Sequence, residues 1–188
     1  NDLIWNYVIN NYLLGQDPPA FDVLFWNADA TNLSASLMGD FLTIFETLAF
    51  TKKGEVEMVD HKIDLSKVTS DLFILGGVTD HITPWKATYR STRLFGSKDV
   101  TYVLSQSGHM QAILNPPGNP KAKYYIQSDP KKKLPETADE WLKGTEEVAG
   151  SWWPYWMEWV QARAGSKKKA PAKLGNKDYP TLDPAPGL

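Results

Sequence analysis

Apolar positions along the 188-residue chain change period twice, and those changes mark out its organisation. Residues 1–15 carry Leu3, Ile4, Tyr7, Val8, Tyr12 and Leu14 near helical spacing, and Gly15 is a natural stop. Asp17-Pro18-Pro19 breaks the chain, and an apolar stretch from Phe21 through Phe25 to Trp26 follows. Helical spacing returns over 34–48 with Leu37, Phe41, Ile44, Phe45 and Leu48. Thr51-Lys52-Lys53-Gly54 predicts a turn, with a short strand or hairpin around Val56–Val59 and Ile63. The character then shifts. Leu72-Phe73-Ile74-Leu75-Gly76 is a continuous apolar run, as expected of a strand buried on both faces. Pro84 opens a helix at its first turn that continues to Gly96, and 100–104 forms a second strand. A strand–helix–strand unit of this length implies parallel strands joined by a right-handed crossover. Beyond a proline–glycine loop at 115–120, 123–126 reads as an edge strand, and 137–148 and 153–163 as two helices. Past Gly165, lysines and prolines with few apolar residues read as an extended or disordered tail over 166–188.

Composition narrows the classes. Hydrophobic residues make up 42% and charged residues 22%, the balance of a soluble globular domain. The net charge of -2 gives no general reason to expect a nucleic-acid partner. No apolar run approaches the ~20 residues of a membrane span. There is no cysteine, so the chain contains no disulfide, thiolate metal site or cysteine nucleophile. Its three histidines lack metal-ligand spacing. Five of the eight tryptophans crowd into 141–159, which reads chiefly as the edge of a core and alternatively as a contact surface.

The candidate chemistry lies on the strand–helix–strand unit. Two neighbouring parallel strands place their C-terminal loops on one sheet edge, where open α/β sheets bind ligands. Asp80 is on the first such loop and His109, 29 residues later, on the second. A carboxylate followed by a histidine has the order of the last two members of a hydrolase triad. The competing possibility is an Asp that caps the helix begun at Pro84 and an ordinary loop histidine. Ser107-Gly108 before the histidine favours the functional reading, since glycine lets the loop turn sharply.

Longer stretches carry a resemblance. Gly77-Val78-Thr79-Asp80-His81-Ile82-Thr83-Pro84-Trp85, Ser107-Gly108-His109, Asn115-Pro116-Pro117-Gly118-Asn119-Pro120 and Gly150-Ser151-Trp152-Trp153-Pro154-Tyr155-Trp156 resemble the polyhydroxyalkanoate synthases, as does Phe25-Trp26-Asn27-Ala28-Asp29. The ending Pro184-Ala185-Pro186-Gly187 is similar to those of the single-subunit, short-chain class I type. The resemblance implies an α/β fold, the C-terminal portion of an α/β-hydrolase with an inserted cap or lid: cap over 1–60, core over 61–165, tail over 166–188. It implies transfer of 3-hydroxyacyl groups from coenzyme A thioesters to a growing polyester through acyl-cysteine intermediates, without a cofactor. Asp80 and His109 take the places of the catalytic acid and histidine: His109 would deprotonate the cysteine thiol, and Asp80 would either orient His109 or activate the incoming hydroxyl. His81, Ile82 and Gln111 take supporting or substrate-binding places. Met110 points into the core, and Gln111 either faces the acyl pocket or starts a helix. Trp26 would lie at a dimer or lid contact. The implied partners are 3-hydroxyacyl-CoA, the polyester chain, a second copy in a homodimer and the surface of cytoplasmic polymer granules, with no nucleic acid and no membrane span. The family's cysteine elbow has no match here, so the chain reads as part of a longer protein. The alternatives are an esterase or depolymerase using a serine elbow with the same acid and histidine, and a non-catalytic segment serving assembly or granule binding.

Overall fold

The computed structural model describes residues 2–18, 29–130 and 132–182; Phe21, Phe25 and Trp26 lie outside them. The chain divides into two compact units, Asn1–Ile63 and Asp64–Leu188. No helix among the described residues is long and apolar enough to cross a membrane.

In the first unit, α1 (Asp2–Tyr7) runs on as a π-helix, Val8–Leu13, and the chain leaves it through Gly15 at φ 64°. Helix α2 (Ala35–Thr47) begins where the Ser34 side chain accepts the Leu37 amide, and ends at Leu48 in a left-handed conformation. The expected hairpin is a pair of two-residue strands, β1 (Glu57–Met58) and β2 (His61–Lys62). Its turn residues Val59 and Asp60 both have positive φ, 51° and 60°, the signature of a type I′ turn. Valine is poorly suited to that position, and its side chain is solvent-exposed.

The second unit is mixed α/β. Strands β3 (Leu72–Gly77), β4 (Val100–Ser105), β5 (Lys123–Gln127) and β6 (Thr145–Ala149) form one sheet in the order β3-β4-β5-β6. β3 and β4 pair in parallel from Leu72 opposite Val100 to Gly77 opposite Ser105, while the other neighbours are antiparallel. The helices are α3 (Trp85–Ser91), α4 (His109–Ile113), α5 (Ala138–Lys143) and α6 (Trp153–Gln161). One buried cluster joins Tyr89, Tyr102, Leu104, Ala138 and Trp141; Tyr102 meets Tyr89 and Trp141 edge-on at centroid distances of 5.0 and 4.9 Å. A second joins Val103, Tyr124 and Trp152, with Phe73, Leu75 and Trp153 packed on it. Adjacent β4 residues thus feed opposite clusters, as strand alternation requires. Arg163 ion-pairs with both Asp71 and Asp99, and its guanidinium lies 4.0 Å from the Trp159 ring.

Four expectations change. The 123–126 segment is interior to the sheet, between β4 and β6, rather than an edge strand. The 137–148 helix stops at Lys143, and 145–149 becomes β6. Gly144 ends the helix, and Glu147 then faces β5, accepting from Lys123 Nζ at 2.9 Å and Tyr125 Oη at 2.8 Å. Strand pairing therefore outweighs the helix preference of the glutamates. The helix after Pro84 closes at Ser91 rather than Gly96, through successive tight turns at Thr92, Arg93 and Leu94. The apolar residues of β3 are only half-buried, because β3 ends the sheet order and the deep core falls on β4. Residues 166–182 are exposed and contain no helix or strand.

Replacing Val59 by asparagine, which tolerates the left-handed region, relieves ~1 kcal/mol of strain. Exchange of the Gly54 and Ile63 amides, which donate to the Ile63 and Val56 carbonyls at 2.9 and 2.8 Å, should slow roughly fivefold by NMR.

Candidate active site

The parallel pairing of β3 and β4 carries the two chemical loops out on the same edge. Backbone bonds then fasten the loops to each other: Val78 N–H donates to the Ser105 carbonyl at 3.0 Å and Thr79 N–H to the Ser107 carbonyl at 3.1 Å. Gly77 makes this closeness possible, since a Cβ there would stand 2.8 Å from the Ala112 side chain and 2.9 Å from the Ser107 carbonyl. The sharp turn before His109 is not made by Gly108, as the sequence had implied. Gly108 is extended, at φ -89° and ψ -168°, and the left-handed residue is Ser107 at φ 108°.

Asp80 is buried and accepts four hydrogen bonds. Oδ1 accepts the Ile82 and Thr83 amides, both at 2.9 Å; Oδ2 accepts the Thr83 hydroxyl at 2.7 Å and His109 Nδ1 at 2.9 Å. A carboxylate only accepts, so Nδ1 carries the proton and Nε2 is the nitrogen free to act as a base. The Asp80 side chain is 6% exposed and the His109 side chain 38%, so solvent reaches the imidazole and hardly the acid. Burial by itself raises the Asp80 pKa. The amide and hydroxyl of Thr83, His109 and the Ile82 amide outweigh it and hold the carboxyl well below its usual range. The arrangement is a charged acceptor that fixes one tautomer of a solvent-accessible imidazole.

Asp80 is not the cap of α3: Pro84 occupies that position, and the Asp80 bonds go to amides ahead of the helix. His81 is exposed, and no bond joins it to the pair. Ile82 takes part through its amide, while its side chain is exposed. Gln111 is exposed in the one-turn helix α4. Met110 is 45% exposed rather than in the core, because Ala112 is the α4 residue turned inward. Thr83, with two donors to Asp80, was missed from sequence. Its signal was an Asp followed three positions later by a Thr before proline, a local side-chain-to-backbone pattern.

No protein-family model matches the chain. Its whole length is 52% identical to poly(3-hydroxyalkanoate) polymerase 2 of Ectopseudomonas oleovorans, 47% to poly(3-hydroxyalkanoate) polymerase 1 of that organism and 40% to the poly(3-hydroxyalkanoate) polymerase subunit PhaC of Cupriavidus necator. The similarity covers 32%, 33% and 31% of those proteins, so the chain spans about a third of the length of the curated relatives it matches.

Two outcomes follow from the geometry. Gly77→Ala should destabilise the fold by ~1–3 kcal/mol through overpacking, and Gly108→Ala, whose Cβ would meet only Thr79 atoms at 3.6 and 3.7 Å, by less than ~0.5 kcal/mol; chemical unfolding midpoints check both. Because the folded Asp80 pKa lies below the unfolded value, its stabilisation is complete above the unfolded pKa and is lost as pH falls through the folded one. Thr83→Val removes one donor, so the Asp80 carboxyl should titrate at higher pH by NMR and acid unfolding should begin sooner.

Proposed function

We propose that the chain is the acid–histidine part of a polyhydroxyalkanoate synthase, the C-terminal portion of an α/β-hydrolase fold whose first unit acts as a cap. The observation that carries this is the 2.9 Å bond between Asp80 and His109 at the edge of parallel strands. Similarity of the whole chain to about a third of the length of each of three poly(3-hydroxyalkanoate) polymerases supports it.

In this reading His109 Nε2 takes the proton of a cysteine thiol supplied from outside the 188 residues, which contain none. The thiolate attacks the thioester carbonyl of a 3-hydroxyacyl-CoA. As the carbon–sulfur bond to coenzyme A breaks, the leaving thiolate recovers the proton from His109, leaving an acyl-cysteine. The hydroxyl of a 3-hydroxyacyl unit then attacks that acyl group. His109 takes the hydroxyl proton and returns it to the cysteine sulfur, and one ester bond has formed. Asp80 keeps Nδ1 protonated and stabilises the imidazolium in both halves. No cofactor enters this scheme. The proposed partners are 3-hydroxyacyl-CoA, the polyester chain, a second copy and the granule surface in the cytoplasm. Gln111 lies two residues beyond the base and belongs to the acyl pocket in this reading, and Trp26 to the subunit or lid contact.

In the complete polymerase, His109→Ala and Asp80→Asn should each lower turnover of 3-hydroxybutyryl-CoA by about 10³–10⁴-fold while leaving the fold intact by circular dichroism. Retained turnover in His109→Ala would remove the reading. Gln111→Ala should change the kcat/KM ratio between short and medium 3-hydroxyacyl thioesters by roughly 10-fold, the worth of a methylene in a pocket. An unchanged ratio places that side chain outside the pocket. Trp26→Ala should lower the dimer fraction measured by light scattering.

A further inference from the structure

Helix α4 is a single turn, His109–Ile113, and a turn of five residues is too short to be stable alone. Its last carbonyls are left without helical partners. Three consecutive residues from a segment nearly forty positions away satisfy this stretch. The Trp152 indole N–H donates to the Ala112 carbonyl at 2.8 Å, the Trp153 indole N–H to the Ile113 carbonyl at 3.0 Å, and the Ser151 hydroxyl to the Asn115 carbonyl. Ser151 Oγ also accepts the Trp153 amide at 3.1 Å, which ties Ser151 to the start of α6, and the two indole rings meet edge-on at 6.4 Å. The grip is built on rigid parts. Gly150, at φ 102°, turns the chain out of β6, and its amide is tied to the Ala122 carbonyl at 2.7 Å. Ser151 and Trp152 are buried, and the Trp152 ring packs on Phe73 of β3 at 6.0 Å. Ala112 is wedged against Gly77, three residues before Asp80.

We infer that Ser151, Trp152 and Trp153 are positioning residues that clamp α4 and thereby hold the His109 imidazole against Asp80. The inference rests on the reading of Asp80 and His109 as the working pair. Aromatic packing explains burial of the rings but not why both indole nitrogens meet successive carbonyls of the helix that begins with the base. Without the clamp α4 rocks on its strand, and the Asp80–His109 bond lengthens for part of the time. The Nδ1 proton that the Asp80 carboxylate shelters then meets water and exchanges faster.

The test uses the complete polymerase with Trp152→Phe, Trp153→Phe and the double variant, which keep aromatic rings and remove the N–H groups. Trp156→Phe is the control, since Trp156 packs on Trp152 at 6.2 Å but gives α4 no hydrogen bond. The Ala112 and Leu114 amides close α4 through the Gly108 and Met110 carbonyls at 2.8 and 2.9 Å, so their exchange reports its opening. Each clamp variant should speed that exchange on the order of 2- to 10-fold, the worth of one hydrogen bond. kcat should fall about tenfold at constant KM, and the hydrogen-bonded Nδ1 proton of His109 should broaden in the proton NMR spectrum. A general loss of stability would lower the active fraction without broadening that resonance in the molecules that remain folded. Unchanged amide exchange and an unbroadened Nδ1 proton resonance in the double variant overturn the clamp, while abolished turnover in His109→Ala would leave the functional reading standing. Intact turnover in His109→Ala sinks the functional reading instead, and the clamp then stands or falls on amide exchange. If Trp152→Phe does not fold, the half-buried Trp153→Phe decides by the same readouts.

Discussion

A charge kept where water hardly reaches is stable only if its hydrogen-bonding capacity is filled, and the sheet edge is arranged around that requirement for Asp80. Three of its four donors come from its own loop, in Ile82 and Thr83. They form a local nest that can exist as soon as the loop folds. The fourth, His109 Nδ1, arrives on a different strand. Asp80 thus finds three of its four partners within its own loop, and the bond to His109 joins the two loops chemically. The parallel register of β3 with β4 delivers His109 to the right place. Had the strands slipped by one residue, every side chain would have changed face.

The glycine pair closing β3 lets both sides of the sheet crowd this edge. A Cβ on Gly76 would meet the Tyr102 hydroxyl and Thr88, on the side of the Tyr89–Trp141 cluster. A Cβ on Gly77 would meet Ala112 and the Ser107 carbonyl, on the side that carries α4. The two glycines thus serve different layers. The backbone strain at this corner sits on Ser107, whose positive φ costs on the order of 1–3 kcal/mol for a non-glycine residue. The bond from Thr79 N–H to the Ser107 carbonyl fixes that conformation against its intrinsic preference.

The sequence was most readable where local pattern and global fold coincide. The apolar run before Gly76, the helix at Pro84 and the run at 100–104 specified parallel strands, and the chemical loops followed from topology. It was least readable where a distant partner decides. Glu146 and Glu147 look helical until β5 offers Lys123 and Tyr125 to pair with Glu147. The 123–126 strand has the polarity of an edge, but β6 covers it. Gly108 invited a conformational argument that belongs to Ser107, because glycine permits a left-handed turn without requiring one. The tryptophan crowding at 141–159 was visible, yet its polar function was not, since the carbonyls it meets lie forty residues earlier.

The depressed Asp80 pKa also bears on how such a pair moves protons. A buried carboxyl with fewer donors would be pushed upward and could compete with the imidazole for the proton they share. Four donors remove that competition, so Asp80 remains an acceptor whether His109 is neutral or protonated. In the proposed reaction a proton gained at Nε2 then leaves again from Nε2, because Nδ1 stays committed to Asp80. In the proposed reaction this is what acyl transfer in two halves demands: the same nitrogen accepts a proton from a nucleophile, returns it to a leaving group, and does so twice per ester bond. A neutral acid at Asp80 would leave the imidazolium without its counter-charge at each of those steps. The local nest of Ile82 and Thr83 is therefore as much a part of the proton-handling apparatus as the histidine, although neither side chain faces the reacting atoms in this reading.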